Sequence, residues 1–108
     1  MEPRDLVWRI DAGVPFGVAC STEHLTAGIL EAQPGCAGSP HAHGGDELLV
    51  VLAGALFVRA FDPEGGTVVF EARPGDGVCL PAGWEHDYRN VGAATARAVV
   101  GIAPAYLP

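Results

Sequence analysis

His41 and His43 are separated by one residue, and Glu47 follows four positions later. All three share a parity, so an extended chain could direct their side chains to one face and toward one point. Two imidazoles and a carboxylate are the donors a borderline divalent cation prefers. A third imidazole, His86, comes just after a Pro81-Ala82-Gly83 turn, where a second extended stretch restarts. Its neighbours Glu85 and Asp87 have the opposite parity and should face away, which leaves Tyr88 on the side of His86. Asp46, the rival carboxylate to Glu47, has the wrong parity and should face solvent. These residues say much about a metal site and little about what such a site acts on.

The segments that carry these donors are punctuated by glycine and proline. The first reads Gly35, five residues, His41-x-His43, three residues, Glu47, six residues, Gly54. The second reads Gly75, five residues, Pro81-x-Gly83, two residues, His86, three residues, Asn90. Together they resemble the two signature motifs of the cupins, with every fixed position filled. The resemblance covers residues 35–90 directly and the flanking strands only by analogy. It implies an all-β fold, the cupin-type double-stranded β-helix or jelly-roll barrel, with residues 1–108 as a single cupin domain. It also implies a germin-like ligand set of His41, His43, Glu47 and His86 around one divalent transition metal (Fe, Mn, Ni or Zn). Four ligands would leave one or two positions open on an octahedral ion.

The elements that must position these donors are strands. Residues 6–10 (LVWRI) read as a short edge or contact strand, which Val14-Pro15 should interrupt. Residues 16–20 and 25–32 are β-like, and Gln33-Pro34-Gly35 is a turn. The apolar run at 48–52 predicts a strand covered on both faces. In residues 55–61, Phe57, Arg59 and Phe61 share one side and Leu56, Val58 and Ala60 the other. Asp62 to Gly66 is a hairpin turn leading to a partner strand at 67–73. Short strands follow at 78–80 and 84–89, and residues 96–103 form the last one. No sustained helical stripe occurs, and many short strands between turns describe a barrel or sandwich.

Composition narrows the partners. With 49% hydrophobic and 18% charged residues among 108, the chain is a folded globular domain. Its net charge is −7, and its six basic residues are all arginines without a cluster, so neither nucleic acid nor an anionic membrane is an expected partner. No apolar run approaches the roughly 20 residues of a membrane span. The N-terminal stretch lacks the apolar region of a signal peptide, which predicts a cytoplasmic location. Three cysteines, Cys20, Cys36 and Cys79, without a C-x-x-C pair argue against a disulfide framework or a zinc knuckle. The absence of lysine removes the usual Schiff-base nucleophile and favours chemistry done by a metal.

Two further side chains are catalytic candidates. His24 could serve as an acid or base with a pKa near neutrality, and Tyr88 could hydrogen-bond a substrate oxygen. Leu49 and Val51, with Phe57 or Phe70, would line an apolar pocket, and Trp84 would pack at its rim. Gly35, Gly54, Gly75, Pro81, Gly83 and Asn90 supply turns. The expected function is a metal-dependent enzyme acting on a small molecule. An O2-dependent oxygenase of dioxygenase type comes first. A non-redox cyclase, isomerase or decarboxylase is the alternative, and a non-catalytic ligand-binding module stands behind both. The resemblance also implies a homodimer.

Overall fold

A computed structural model describes residues 5–108, so the acidic-then-basic opening at residues 1–4 lies outside the described residues. Burial alternates along most strands, as expected where one face meets a core and the other meets water. β3 (Thr26–Ala32) and β9 (Ala96–Ala103) alternate in this way throughout. Nine strands form, all paired antiparallel: β1 (Val7–Asp11), β2 (Val14–Ser21), β3, β4 (Asp46–Ala53), β5 (Leu56–Phe61), β6 (Thr67–Ala72), β7 (Gly77–Leu80), β8 (Glu85–Arg89) and β9. Among the described residues there is no helix, and so none long and apolar enough to cross a membrane.

A six-stranded sheet has the order β1-β2-β3-β9-β4-β7, and a three-stranded sheet the order β6-β5-β8. Between them Val14, Phe16, Leu30, Leu49, Val51, Leu56, Val58, Leu80 and Ile102 form one apolar cluster. The expected all-β, double-sheet architecture is therefore present.

Three sequence expectations differ from the structure. Val14-Pro15 does not interrupt a strand: it opens β2, which pairs with β1 as a hairpin through Ala12 and Gly13. The two turn residues adopt φ of 48° and 90°, the left-handed conformation of a two-residue hairpin turn. The apolar run of β4 is covered on one face only. Leu49 and Val51 are buried, whereas Leu48 and Leu52 are each 54% exposed, because none of the described residues covers the outer side of the larger sheet there. Phe57 does not line the interior either; it shares the outer side with Arg59, while Leu56, Val58 and Ala60 point in. Phe70 pairs with Val58 and packs partly against the core.

Two contacts close the ends of the sheets. Gly54 has φ +69°, and a Cβ there would stand 2.6 Å from the Thr95 carbonyl oxygen, so the β4–β5 bend admits only glycine without strain. Asn90 is buried, and its amide donates to the carbonyls of Ala32 and Ala94, each at 2.8 Å, while its carbonyl accepts the Gly92 N–H at 2.9 Å. One side chain thus ties the end of β3 to the entry of β9.

Candidate metal centre

The four expected donors come from two segments that the backbone clamps together. His41 and His86 form an isolated antiparallel bridge and exchange both N–H···O bonds, at 2.9 and 2.8 Å. Residues so paired present their side chains on the same face, and the two rings stand 4.3 Å apart, centroid to centroid. His43 lies in the loop before β4, which the Gly83 N–H holds by donating to the His43 carbonyl at 3.0 Å. Glu47 opens the buried face of β4. The donors are therefore not aligned by one continuous strand; a bridge, a loop and a strand end bring them together.

Each imidazole is oriented by a backbone carbonyl. Nδ1 of His41 donates to Ser39 O at 3.3 Å, that of His43 to Gly45 O at 3.0 Å, and that of His86 to Trp84 O at 3.0 Å. A carbonyl can only accept, so Nδ1 is the donor in each ring, and on a neutral ring the Nε2 lone pair is left for the centre of the site. His43 Nε2, 3.0 Å from the Glu47 carboxylate, would give up its hydrogen bond to that acceptor for an ion. Metal-ligating histidines are typically held in this way, by a hydrogen bond from the ring nitrogen that does not face the ion. Gly45 belongs to the same arrangement: a Cβ there would meet the Pro104 carbonyl oxygen at 2.4 Å.

The ring donors of His41, His43 and His86 lie within 4.8 Å of one another. Glu47 Oε1 stands 3.0 Å from His43 Nε2 and 3.6 Å from His86 Nε2, the latter too long for a hydrogen bond. Nε2 of His41 and of His86 are buried without a hydrogen-bond partner. Orphaned buried acceptors cost about 1–3 kcal/mol each, and two in one cluster, each facing a carboxylate oxygen, make sense when a cation joins them. Three imidazoles and a carboxylate fit a divalent transition ion, so the residues present could hold one.

Burial pushes the Glu47 carboxyl up, but His43, His86 and Tyr88 together outweigh it and hold its pKa at about 2. The acid is thus held as the anion well below the ordinary carboxyl range. For His86, burial disfavours the imidazolium, yet Glu47 prevails and raises the pKa. The Tyr88 hydroxyl donates to Glu47 Oε2, and burial and the nearby Glu47 charge push the phenol well up. The centre meets solvent chiefly beside His41, whose side chain is 13% exposed, against 3% for His43 and 1% for His86.

The remaining sequence candidates fall elsewhere. His24 sits on the turn after β2 with its side chain 83% exposed, 3.1 Å from Glu23, and is not brought into the cluster. Asp46 is exposed, as its parity indicates, and its Oδ1 accepts the Ala82 N–H at 2.8 Å, bracing the turn before His86. Trp84 packs partly against the core. All three cysteines are free, and Cys36 is half-buried beside the Gly13 carbonyl. A surface cleft of about 380 Å³ lined by Phe70, Ala72 and Val78 holds none of the donors.

Two residues at the site carry no signal in the sequence. Asp11, at the end of β1, is buried with Oδ1 3.6 Å from His41 Nε2. Burial raises its carboxyl pKa, and the neighbouring His41 only partly offsets this. Tyr106 stacks on the His43 ring at 4.7 Å, and burial, with Asp11 beside it, pushes its phenol up. Nothing local marks either one: Asp11 reads as an ordinary residue before a turn, and Tyr106 lies beyond the last strand.

A small antiparallel barrel with three imidazoles and a glutamate facing one interior point defines a class of β-barrel proteins with a potential metal site. The chain belongs to the cupin family: residues 28–102 match the cupin domain. Among solved structures it is similar to TT1209 from Thermus thermophilus, at 28% identity over 96% of this chain and 98% of that one, with a TM-score of 0.77. KdgF from Halomonas sp. is 22% identical, covering 93% and 89%, with a TM-score of 0.72. An oxalate oxidase in complex with the substrate analogue glycolate is 24% identical over 75% of this chain, with a TM-score of 0.71, but the match spans only 43% of the oxidase. The match to a Bacillus subtilis oxalate decarboxylase variant spans 27% of that chain. Comparison with curated proteins yields no match.

Proposed function

We propose that this protein is a metal-dependent enzyme in which His41, His43, Glu47 and His86 hold one divalent transition ion and a small oxygen-bearing organic molecule is the substrate. The observation that carries this reading is the convergence of three imidazoles within 4.8 Å of one another, with the Glu47 carboxylate beside His43 and His86, and with Nε2 of His41 and His86 buried without a hydrogen-bond partner among the described residues. When bound, such an ion would supply Lewis acidity and, if redox-active, electrons for dioxygen chemistry. The protein's own residues do the rest. The carbonyls of Ser39, Gly45 and Trp84 fix the imidazole tautomers, Tyr88 holds Glu47 in place as a positioning residue, and the barrel wall of Leu49 and Val51 excludes water. His24, on an exposed turn, has no role in this proposal.

The reaction type proposed first is O2-dependent oxygenation. The structural similarity to an oxalate oxidase in complex with the substrate analogue glycolate and to an oxalate decarboxylase with Mn(II) centres supports a small oxygen-rich ligand at a site of this shape. A second reading, a non-redox isomerase, cyclase or decarboxylase, is favoured by the buried Asp11 and the half-buried Tyr106 beside the donors, which are groups suited to managing protons. The homodimer and the one-domain organisation belong to the same proposal. Val7, Trp8 and Ile10, exposed on the edge strand β1, supply an apolar strip for self-association.

Elemental analysis of protein purified without a chelating tag is the first test, with close to one transition ion per chain expected. No metal in native or reconstituted protein would overturn the reading. Oxygen uptake with a panel of aromatic and enolic compounds then separates the branches. Turnover undiminished without oxygen assigns the non-redox reaction, and tight binding without turnover assigns a ligand-binding module.

A further inference from the structure

We propose that Asp11 is a fifth protein ligand of the ion, so that the site is built from three imidazoles and two carboxylates. This rests on the metal-centre reading above and extends it beyond the two motif segments to the β1–β2 hairpin.

The geometry is the first argument. Donor atoms held ~2.1 Å from one ion stand roughly 3 to 4.2 Å apart. Asp11 Oδ1 lies 3.6 Å from His41 Nε2, and the corresponding Glu47 separations from His43 and His86 are 3.0 and 3.6 Å. Asp11 thus stands toward His41 as Glu47 stands toward His86. Both Asp11 Oδ1 and His41 Nε2 are buried and lack any hydrogen-bond partner. Since His41 Nδ1 already carries the ring proton for Ser39, two lone pairs face each other across that gap, an arrangement a cation stabilises.

Four other aspartates have ordinary structural partners. Asp62 Oδ1 accepts the N–H groups of Glu64 and Gly66, Asp46 Oδ1 accepts that of Ala82, and Asp76 Oδ2 accepts that of Arg73. Those are structural aspartates capping turns. Asp87, also buried, pairs its Oδ2 with Arg59. Among the described residues Asp11 faces no arginine, only the site's imidazoles and the Tyr106 phenol, and its Oδ1 caps nothing, although it too precedes a turn. The hairpin is nevertheless anchored to the site, because the Ser39 N–H donates to the Ala12 carbonyl at 2.8 Å, fixing Asp11 beside the segment that carries His41.

Two carboxylates would neutralise a divalent ion and leave one position of an octahedron for substrate or water. One position suffices for Lewis-acid chemistry. An oxygenase that binds substrate and dioxygen together would need Asp11 to give way.

Mn(II) is the probe. Its affinity and the number of exchangeable waters on it are read by electron paramagnetic resonance titration and water-proton relaxation, in wild type, Asp11→Asn, Asp11→Ala and His86→Ala. Removing Asp11 is expected to weaken Mn(II) binding at least ~10-fold and to add one exchangeable water. Because Asp11 Oδ1 caps nothing, metal-free Asp11→Asn should unfold at a urea concentration no lower than wild type while losing most of the stabilisation Mn(II) confers. Unchanged affinity and hydration in both Asp11 variants, with binding lost in His86→Ala, would overturn the role of Asp11 and leave the metal centre standing. Loss of stability in metal-free Asp11→Asn with Mn(II) affinity intact would make Asp11 structural and overturn it as well. Absence of Mn(II) binding to wild type under conditions where Fe(II), Ni(II) and Zn(II) also fail to bind would overturn both readings.

Discussion

His41 and His86 face each other across a two-hydrogen-bond antiparallel bridge, with their rings 4.3 Å apart. This contact joins the two motif segments at the point where their imidazoles must meet, and the centre depends on it. Replacing either ring with alanine keeps the backbone bonds and removes one donor. His86→Ala and His43→Ala are each expected to lower metal affinity by more than roughly 100-fold, since even changes to the groups that orient a ligand cost 10–100-fold. Elemental analysis with circular dichroism should report metal lost and strands retained; full metal content in either variant would contradict the ligand set.

Tyr88→Phe removes the hydroxyl that donates to Glu47 Oε2 and leaves a buried carboxylate oxygen without its donor. A loss of about 1–3 kcal/mol in unfolding free energy is expected, with metal affinity reduced about 10–100-fold. Urea titration and metal competition measure the two separately. A variant as stable and as tight as wild type would show that the phenol does not position Glu47.

Proton linkage gives the metal-free protein a defined stability window. Glu47 is held at about 2 against an ordinary 4.5, so its contribution is present above pH 4.5 and is lost as pH falls toward 2. At ~1.36 kcal/mol per pKa unit this is on the order of 3 kcal/mol. His86 is shifted upward, so its contribution is present below about pH 6.5 and is lost as pH rises through the raised value. Metal-free protein should therefore be most stable between about pH 4.5 and 6.5 in urea titrations.

Bound metal should move that optimum upward, because imidazoles must be neutral to ligate. Glu47 stays ionised well into acid, so histidine protonation governs release, expected below roughly pH 6. Dialysis at stepped pH with elemental analysis checks this. A release midpoint that does not move upward when His43 or His86 is replaced would contradict imidazole ligation.

Asn90→Ala tests the tie between β3, β8 and β9. It removes the donor to Ala32 and Ala94 and the acceptor for Gly92. A loss of about 2–4 kcal/mol is expected from the groups left unsatisfied. Gly54→Ala should also destabilise, through its left-handed φ and the 2.6 Å approach to Thr95 O. Denaturation midpoints within error of wild type in both would remove the structural reading of these positions.

The four candidate donors on the motif segments can be listed from the sequence because spacing and turn chemistry are local, but that His41 meets His86 depends on a bridge between distant segments. Parity puts Tyr88 with His86 and separates Leu56, Val58 and Ala60 from Arg59, and strand alternation arranges them so. Hydropathy misleads at β4, since an apolar run does not report whether a second layer covers it, and Leu48 and Leu52 face outward uncovered. Pro15 looks like an interruption because its place at the start of β2, beside Ile10 and before β2 begins to pair with β3 at Phe16, cannot be seen from the residue itself.

By itself, the order of residues determined the strands, the turns, the cupin motifs and which imidazoles could share a face, because each depends on neighbours a few positions away. Tertiary structure alone decided that Asp11 and Tyr106 stand at the same centre. Their placement follows from how the β1–β2 hairpin and the segment after β9 pack against the histidine loop, and no periodicity within either segment encodes a contact made across most of the chain.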